Sequence, residues 1–241
     1  MQIKNVTALV TGANRGIGLA LVKALLNSGA RKVYATARDV KTLDIVVALD
    51  RARVKLLQLD VTNKELLSAA TASAPDVNLL INNAGILEFG NFLDVSTDKV
   101  ARQFETNFYG KLNMALAFAP VIEANGGGAI INMLSLVALA SMPGLSTYNA
   151  SKAAAWSMTQ SLRATLASKK IQVIGVFPGA VDTDMLAGVD MPKTSPADIA
   201  SAVVSGVESD MEDIFPDPMS TQLYAAWKTD HKAVERQFAL M

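Results

Sequence analysis

The 241-residue chain contains no cysteine and only one histidine, His231. Without thiols there is no disulfide framework, thiolate nucleophile, iron–sulfur site or thiolate zinc site, and a single imidazole cannot build a histidine metal cluster. Metal chemistry would have to rest on carboxylates, and no metal site is expected. A Ser/His/Asp triad is disfavoured for the same reason, because that mechanism needs an imidazole beside the nucleophile. His231 reads as a surface helix residue, which leaves Asp, Glu, Lys or Tyr to handle protons. An excess of charge is also missing: 22 Lys and Arg balance 22 Asp and Glu, so nothing resembles the basic footprint of a nucleic-acid binder. Apolar runs are interrupted well short of the ~18 residues that a membrane-spanning helix requires. The N-terminal MQIKNVTALVTG enters a strand-like segment without the apolar stretch and cleavage site of a signal peptide. The expectation is a soluble, cytoplasmic protein with no nucleic-acid or membrane partner.

What the chain has in quantity is aliphatic residues. At 51% hydrophobic and 6% aromatic it can build a core from Ala, Val, Leu and Ile, and disorder is excluded as its main state. Short β-branched runs at Thr7–Thr11, Lys32–Ala37, Val54–Leu59, Asn78–Asn82, Ala129–Met133 and Gln172–Phe177 alternate with helical stretches, and a short seventh strand falls near Ile214–Phe215. The helices are expected at Ile17–Ser28, Leu66–Ser73, Thr97–Glu123, Thr147–Ser168 and Pro196–Ser209. This alternation predicts an α/β, doubly wound Rossmann fold: a single parallel seven-stranded sheet with helices on both faces. No linker or repeat interrupts it, so residues 1–241 read as one domain, with a substrate loop at about 182–195 and a tail at about 212–241.

The first strand ends in Thr11-Gly12-Ala13-Asn14-Arg15-Gly16-Ile17-Gly18 and runs directly into a helix. Glycines permit the turn and a close backbone approach, while the helix N-terminus offers free N–H groups and positive dipole to a pyrophosphate. The TGxxxGxG form of this loop resembles that of the short-chain dehydrogenase/reductase family. Further pieces follow in order: Asp60-Val61 after strand three, Asn82-Asn83-Ala84-Gly85 after strand four, Ser135, and Tyr148 with Lys152 as a YxxxK pair. Pro178-Gly179 with Val181 and Thr183 resembles the family's PGxVxT segment. The match runs from about residue 3 to 185 and implies an NADP(H)-preferring, carbonyl reductase-like oxidoreductase. It also implies that Asp60 and Val61 lie at the adenine, that Asn83, Ala84 and Gly85 lie at the cofactor's ribose edge, and that Pro178, Gly179, Val181 and Thr183 border the cofactor. Asp60 suits a helix N-cap equally well, and the Asn-Asn-Ala-Gly run a strand-end turn.

Cofactor choice is legible at the end of strand two. NAD-preferring enzymes carry an acidic residue there for the ribose hydroxyls; here the position falls on Ala37, followed by Arg38. Arg38 and Arg15 together suit a 2′-phosphate, which favours NADPH/NADP+ over NADH. Asp39 is the counter-indication, since a one-residue shift of the strand end would bring it to the ribose.

Tyr148 and Lys152 stand four residues apart on one helix face. A phenol titrates near pH 10, too high for proton exchange at neutral pH, and a neighbouring ammonium is expected to lower it. Tyr148 is therefore the expected acid/base, and Ser135 is expected to bond the substrate oxygen. The family resemblance adds a hydrogen bond from Lys152 to the nicotinamide ribose. It also implies that Asn107, inside the long helix expected at Thr97–Glu123, distorts that helix locally and holds a water linking Lys152 to solvent. The expected reaction is reversible hydride transfer between nicotinamide C4 and a carbonyl carbon.

The segments that shape the pocket in the family read here as largely apolar. Val137, Leu139, Met142, Met185, Leu186, Val189 and Met191 offer adaptable contacts and no cationic clamp, with Ser135 and Tyr148 at the reacting end. A small to medium hydrophobic ketone, aldehyde or keto ester is the expected substrate. Ketoacyl, steroid or sugar-alcohol dehydrogenation on the same scaffold, or non-catalytic NADP(H) sensing, are the alternatives. The apolar stretches around Val100–Phe118 and Ala153–Leu166 exceed what one helix face needs, so a second buried face at a homotetramer or homodimer interface is expected.

Overall fold

The computed structural model describes residues 1–241. Seven strands form one sheet: β1 (Thr7–Val10), β2 (Lys32–Ala37), β3 (Val54–Gln58), β4 (Leu79–Asn82), β5 (Gly128–Met133), β6 (Ile171–Val176) and β7 (Asp213–Ile214). Their order is β3-β2-β1-β4-β5-β6-β7, and every pairing is parallel. The central strands are near-continuous apolar runs because helices cover both faces. Alternation still sorts the side chains: Ala8 and Val10 of β1 face one core, and Leu9 faces the other.

The first core lies under α1 (Gly16–Asn27) and α7 (Pro196–Glu208), which supply Leu21, Leu25, Ile199 and Val203. The second lies under α3 (Lys64–Ser73) and α5 (Gly110–Ala124), with Met114, Phe118 and Ile122 fully buried; α6 (Ser146–Leu166) closes that face. A four-residue α2 (Asp44–Val47) follows a short 3₁₀ turn between β2 and β3, a connection that shows no helical pattern in the sequence. The chain leaves β1 toward β2 and later returns to β4 on its other side. This reversal opens a crevice at the carboxyl ends of β1 and β4, the usual ligand position in such sheets.

One expected helix is divided. In place of a single helix over 97–123, α4 (Thr97–Phe104) passes through a π-helical turn at Glu105–Tyr109 into α5. The wider turn holds Asn107 inward, where its amide bonds the main chain of Ile86 in both directions at 2.9 Å. The seventh strand lies one residue earlier than expected and forms the sheet edge beside β6. Beyond it the tail forms α8 (Pro218–Thr229) and α9 (His231–Phe238). Asp217 and Ser220 cap α8 reciprocally, with Pro218 at its first position. His231 opens α9 on the surface. No helix is long and apolar enough to cross a membrane.

Candidate active site

A cleft of about 1490 Å³ runs across the carboxyl ends of the strands, from the glycine loop to the C-terminal helices. All the residues expected at the cofactor border it: Gly12, Asn14, Arg15, Gly16, Ile17, Gly18, Arg38, Asp60, Val61, Asn83, Ala84, Gly85, Tyr148, Lys152, Pro178, Gly179, Val181 and Thr183.

At its phosphate end Gly12 has φ of +64°, a conformation that favours glycine. A Cβ on Gly18 would collide with the Gly12 carbonyl oxygen, so α1 can approach β1 this closely only with glycine there. No side chain caps α1, and its first residues border the cleft, leaving first-turn N–H groups and the positive helix end available to an anion. The loop is locked to the strand-four turn. Asn83 Nδ2 donates to the carbonyls of Thr11 and Gly12 at 2.9 and 3.1 Å, and the Thr11 hydroxyl accepts from Ala84 N at 2.9 Å. Thr11 is therefore a supporting residue, signalled in the sequence only by its place before Gly12.

At the adenine end β2 stops at Ala37, as expected. Asp39 is turned into the following 3₁₀ turn, where its carboxylate accepts from Lys41 N at 3.0 Å. Arg38 is exposed and makes no ion pair, whereas Arg15 bonds Asp184 of the substrate loop at 2.8 Å. The two arginines expected to act together thus differ in surroundings: Arg38 has no acidic partner, whereas the loop after β6 brings Asp184 to Arg15 in an exposed ion pair. Asp60 is not the N-cap of α3. Its carboxylate accepts from the Thr62 amide and hydroxyl at 2.9 and 2.7 Å, while Asn63 caps the helix.

At the reacting end Ser135, Tyr148 and Lys152 border the cleft, all largely buried. Ser135 follows β5 and begins a 3₁₀ turn, its hydroxyl 3.5 Å from the Pro178 carbonyl. The YxxxK pair lies in the first turns of α6. Lys152 Nζ donates to the Met133 carbonyl at 3.0 Å and lies over the Tyr148 ring, 5.4 Å from its centroid. Burial pushes the Tyr148 phenol up to about 12, opposed by a hydrogen bond with Ser135. Burial pushes Lys152 down to about 7. The expected lowering of Tyr148 by Lys152 is thus not a property of the protein alone: desolvation dominates, and the ammonium faces the ring. Asn107 lies behind the cleft wall, fully buried, bonding Ser151 Oγ at 3.0 Å while Ser151 bonds the Tyr148 carbonyl at 2.8 Å. It supports the first turn of α6 from beneath.

Val137, Met142, Met185, Leu186, Val189 and Met191 all border the apolar end. Leu139 does not; it packs toward Trp156 and Phe177, and Leu136 takes a place on the wall instead. Glu88 is held by Arg102 at 3.0 Å. The sequence reading missed the C-terminal wall, where Met219, Gln222 and Leu223 of α8 and Gln237 and Phe238 of α9 close the cleft. Its signals were the Asp217-Pro218 helix start and the Val234/Phe238 spacing. Asp217, 4% exposed, joins this wall to the β6 loop by accepting from Gly179 N at 2.8 Å.

Residues 6–193 match the family model described as short chain dehydrogenase, and the chain belongs to the short-chain dehydrogenase/reductase family of oxidoreductases. An uncharacterized oxidoreductase of Staphylococcus aureus strain USA300 is 33% identical over 204 residues, covering 82% of this chain and 88% of the relative. The crystal structure of a short-chain dehydrogenase from Burkholderia cenocepacia J2315 in complex with NADP is 38% identical, covers 99% of both chains and superposes with a TM-score of 0.93. A short-chain dehydrogenase from Sphingobium yanoikuyae in complex with NADPH is 28% identical, with 95% of this chain and 94% of that one covered and a TM-score of 0.82.

Proposed function

We propose that this enzyme uses NADPH to reduce a small to medium hydrophobic ketone, aldehyde or keto ester to its alcohol, reversibly. The observation that carries the proposal is the continuity of one cleft, which joins an uncapped helix N-terminus, the Ser135–Tyr148–Lys152 group and a methionine-rich apolar end. The glycine loop fits a dinucleotide, because Gly18 removes the side chain that would separate α1 from β1. The relatives crystallised with NADP or NADPH support the choice of cofactor.

NADPH supplies the hydride, from nicotinamide C4. When NADPH binds, the N–H groups of the first turn of α1 would hold its pyrophosphate and the planar fork of Arg38 would meet its 2′-phosphate. Ser135 orients the carbonyl and donates to its oxygen as negative charge develops. Tyr148 stands protonated at neutral pH, its phenol held near 12 by burial, and so is in the form needed to protonate the product alkoxide. In the oxidation direction the phenol must first lose its proton, so that the phenolate can take the proton of the alcohol, and Lys152 is the basic side chain that lies over its ring. Met142, Met185 and Leu186 receive the apolar part of the substrate, and no basic side chain among them selects a carboxylate. Exposed Leu116 and Tyr109 on the α5 side support assembly into a homotetramer or homodimer through α5 and α6.

The test follows loss of NADPH absorbance over a panel of aliphatic and aromatic ketones, aldehydes, keto esters, steroids and sugars. Turnover highest on the uncharged hydrophobic carbonyls is expected. Binding of NADPH with no turnover across the panel would replace this reading with a cofactor-sensing one.

A further inference from the structure

Lys111 is a second lysine buried beside the active site, and the reaction above makes no use of it. It enters two residues beyond the π-turn, on α5, and is 2% exposed. Its Nζ donates to the main-chain carbonyls of Asn82 and Ala84, each at 2.9 Å. No carboxylate pairs with it, and burial together with the nearby Lys152 charge pushes its pKa well below the usual lysine value. An apolar side chain would fill the same volume without the cost of burying an amine that has no counter-charge.

What the amine adds is a pair of donors where the chain leaves β4. Ala84 lies past the end of that strand, and its carbonyl receives no main-chain donor. Left unmet, a carbonyl taken partly out of water loses a hydrogen bond that the unfolded chain makes to solvent. The other sides of this turn meet the site itself. Asn83 bonds the glycine loop, Ala84 N bonds Thr11, and a Cβ placed on Gly85 would stand 3.2 Å from Asn107 Oδ1 and 3.8 Å from Lys152 Nζ. Lys111 thus braces from behind a segment whose front touches both the phosphate loop and the catalytic lysine.

We propose that Lys111 is a positioning residue that fixes the Asn83–Gly85 turn against the glycine loop and Lys152, and so sets the place taken by the nicotinamide half of the cofactor. The proposal rests on the reading that the cleft takes NADPH. Its test is Lys111→Met, which keeps an unbranched side chain, one atom shorter, and removes both hydrogen bonds, made in the full-length chain. The dissociation constant for NADPH should rise about tenfold and kcat at saturating cofactor should fall about tenfold or more, because small misplacements of reacting groups carry large rate penalties. Adenosine 2′,5′-bisphosphate, which carries the adenine end and one of the phosphates placed at the glycine loop, should lose clearly less affinity than NADPH, about threefold at most. A general weakening of the fold would reduce both affinities together. Lys111→Gln, shorter but still carrying two amide N–H donors, should recover part of the NADPH affinity, and if the Met variant does not fold the Gln variant must itself show the split between the two ligands. NADPH binding and kcat unchanged in the variant, or equal losses for the two ligands, would overturn the inference. A parent protein that binds no NADPH would overturn the proposed function, and the inference with it.

Discussion

Replacing Lys152 by methionine should stabilise the cofactor-free protein at and below neutral pH and remove much of its gain in stability toward alkaline pH. Lys152 titrates at about 7 in the folded protein against a reference of 10.5. At about 1.4 kcal/mol per tenfold change in proton affinity, that difference corresponds to roughly 5 kcal/mol. Between these two values the unfolded chain keeps a proton that the folded chain has lost, so stability rises with pH across the window. Below about 7 both states are protonated, and the full cost of burying the ammonium is present. Methionine removes that cost but leaves the Met133 carbonyl, now bonded at 3.0 Å, without its donor, a loss of about 1 kcal/mol at every pH. The variant should therefore be more stable than the parent by about 3–4 kcal/mol near pH 6, and the difference should shrink to about zero near pH 10, where the unfolded lysine is itself starting to lose its proton. Relief of repulsion on Lys111 acts in the same direction at low pH. Urea denaturation of both proteins at several pH values between these limits measures the difference directly. A difference that stays constant across the range would refute the assignment of a buried, readily deprotonated Lys152.

The remaining predictions concern the cleft. Tyr148→Phe should lower kcat by about 10²–10⁴ while NADPH binding by fluorescence titration stays within a few fold, because only the proton donor is removed. Arg38→Asp should move the ratio of kcat/KM values toward NADH by about tenfold or more, as the exposed cation that follows β2, proposed above to meet the 2′-phosphate, becomes an anion. Asp217→Ala removes the cap of α8 and its bond to Gly179 together, so chemical denaturation should show a loss of about 2–3 kcal/mol. The same variant should raise KM for hydrophobic ketones, since that bond joins the C-terminal wall to the β6 loop.

The parallel sheet was legible because its strands are short, β-branched and separated by periodic helices, a pattern imposed by burial on both faces. The cofactor end was legible because glycines at fixed spacing answer a local backbone demand, as at Gly12 and Gly18. Three features were not legible, each for its own physical reason. A distortion of the helix at Asn107 was implied by the family resemblance, but its form and extent, a π-turn over Glu105–Tyr109, were not, because the apolar pattern of the helix runs through it. The partner of Arg15 is Asp184, which lies 169 residues away in the chain and reaches Arg15 only through the path of the β6 loop. The rise of Tyr148 to about 12 depends on its burial, a quantity that the YxxxK spacing does not contain. The cation expected to offset that rise lies over the ring, 5.4 Å from its centroid, and desolvation outweighs it.

The polar residues that interrupt the apolar pattern at the ends of β4 and β5 are parts of a single brace. Asn82 bonds Asn132 at 2.9 Å, Asn132 bonds Thr159 at 3.0 Å, and Thr159 returns to the Ala155 carbonyl at 2.7 Å, joining β4, β5 and α6 within the core. Lys111 attaches α5 to the same Asn82, and Asn107 attaches the π-turn to α6 through Ser151. Apolar packing alone would hold these elements with comparable or greater stability, because each buried amide or amine costs desolvation that its partner only offsets. Hydrogen bonds add direction, which dispersion lacks: they fix how α6 is set along and around its axis relative to β5. Ser135 lies just beyond β5 and Tyr148 and Lys152 lie on α6, so the brace spans the two elements whose relative placement decides whether those three side chains meet at one substrate oxygen.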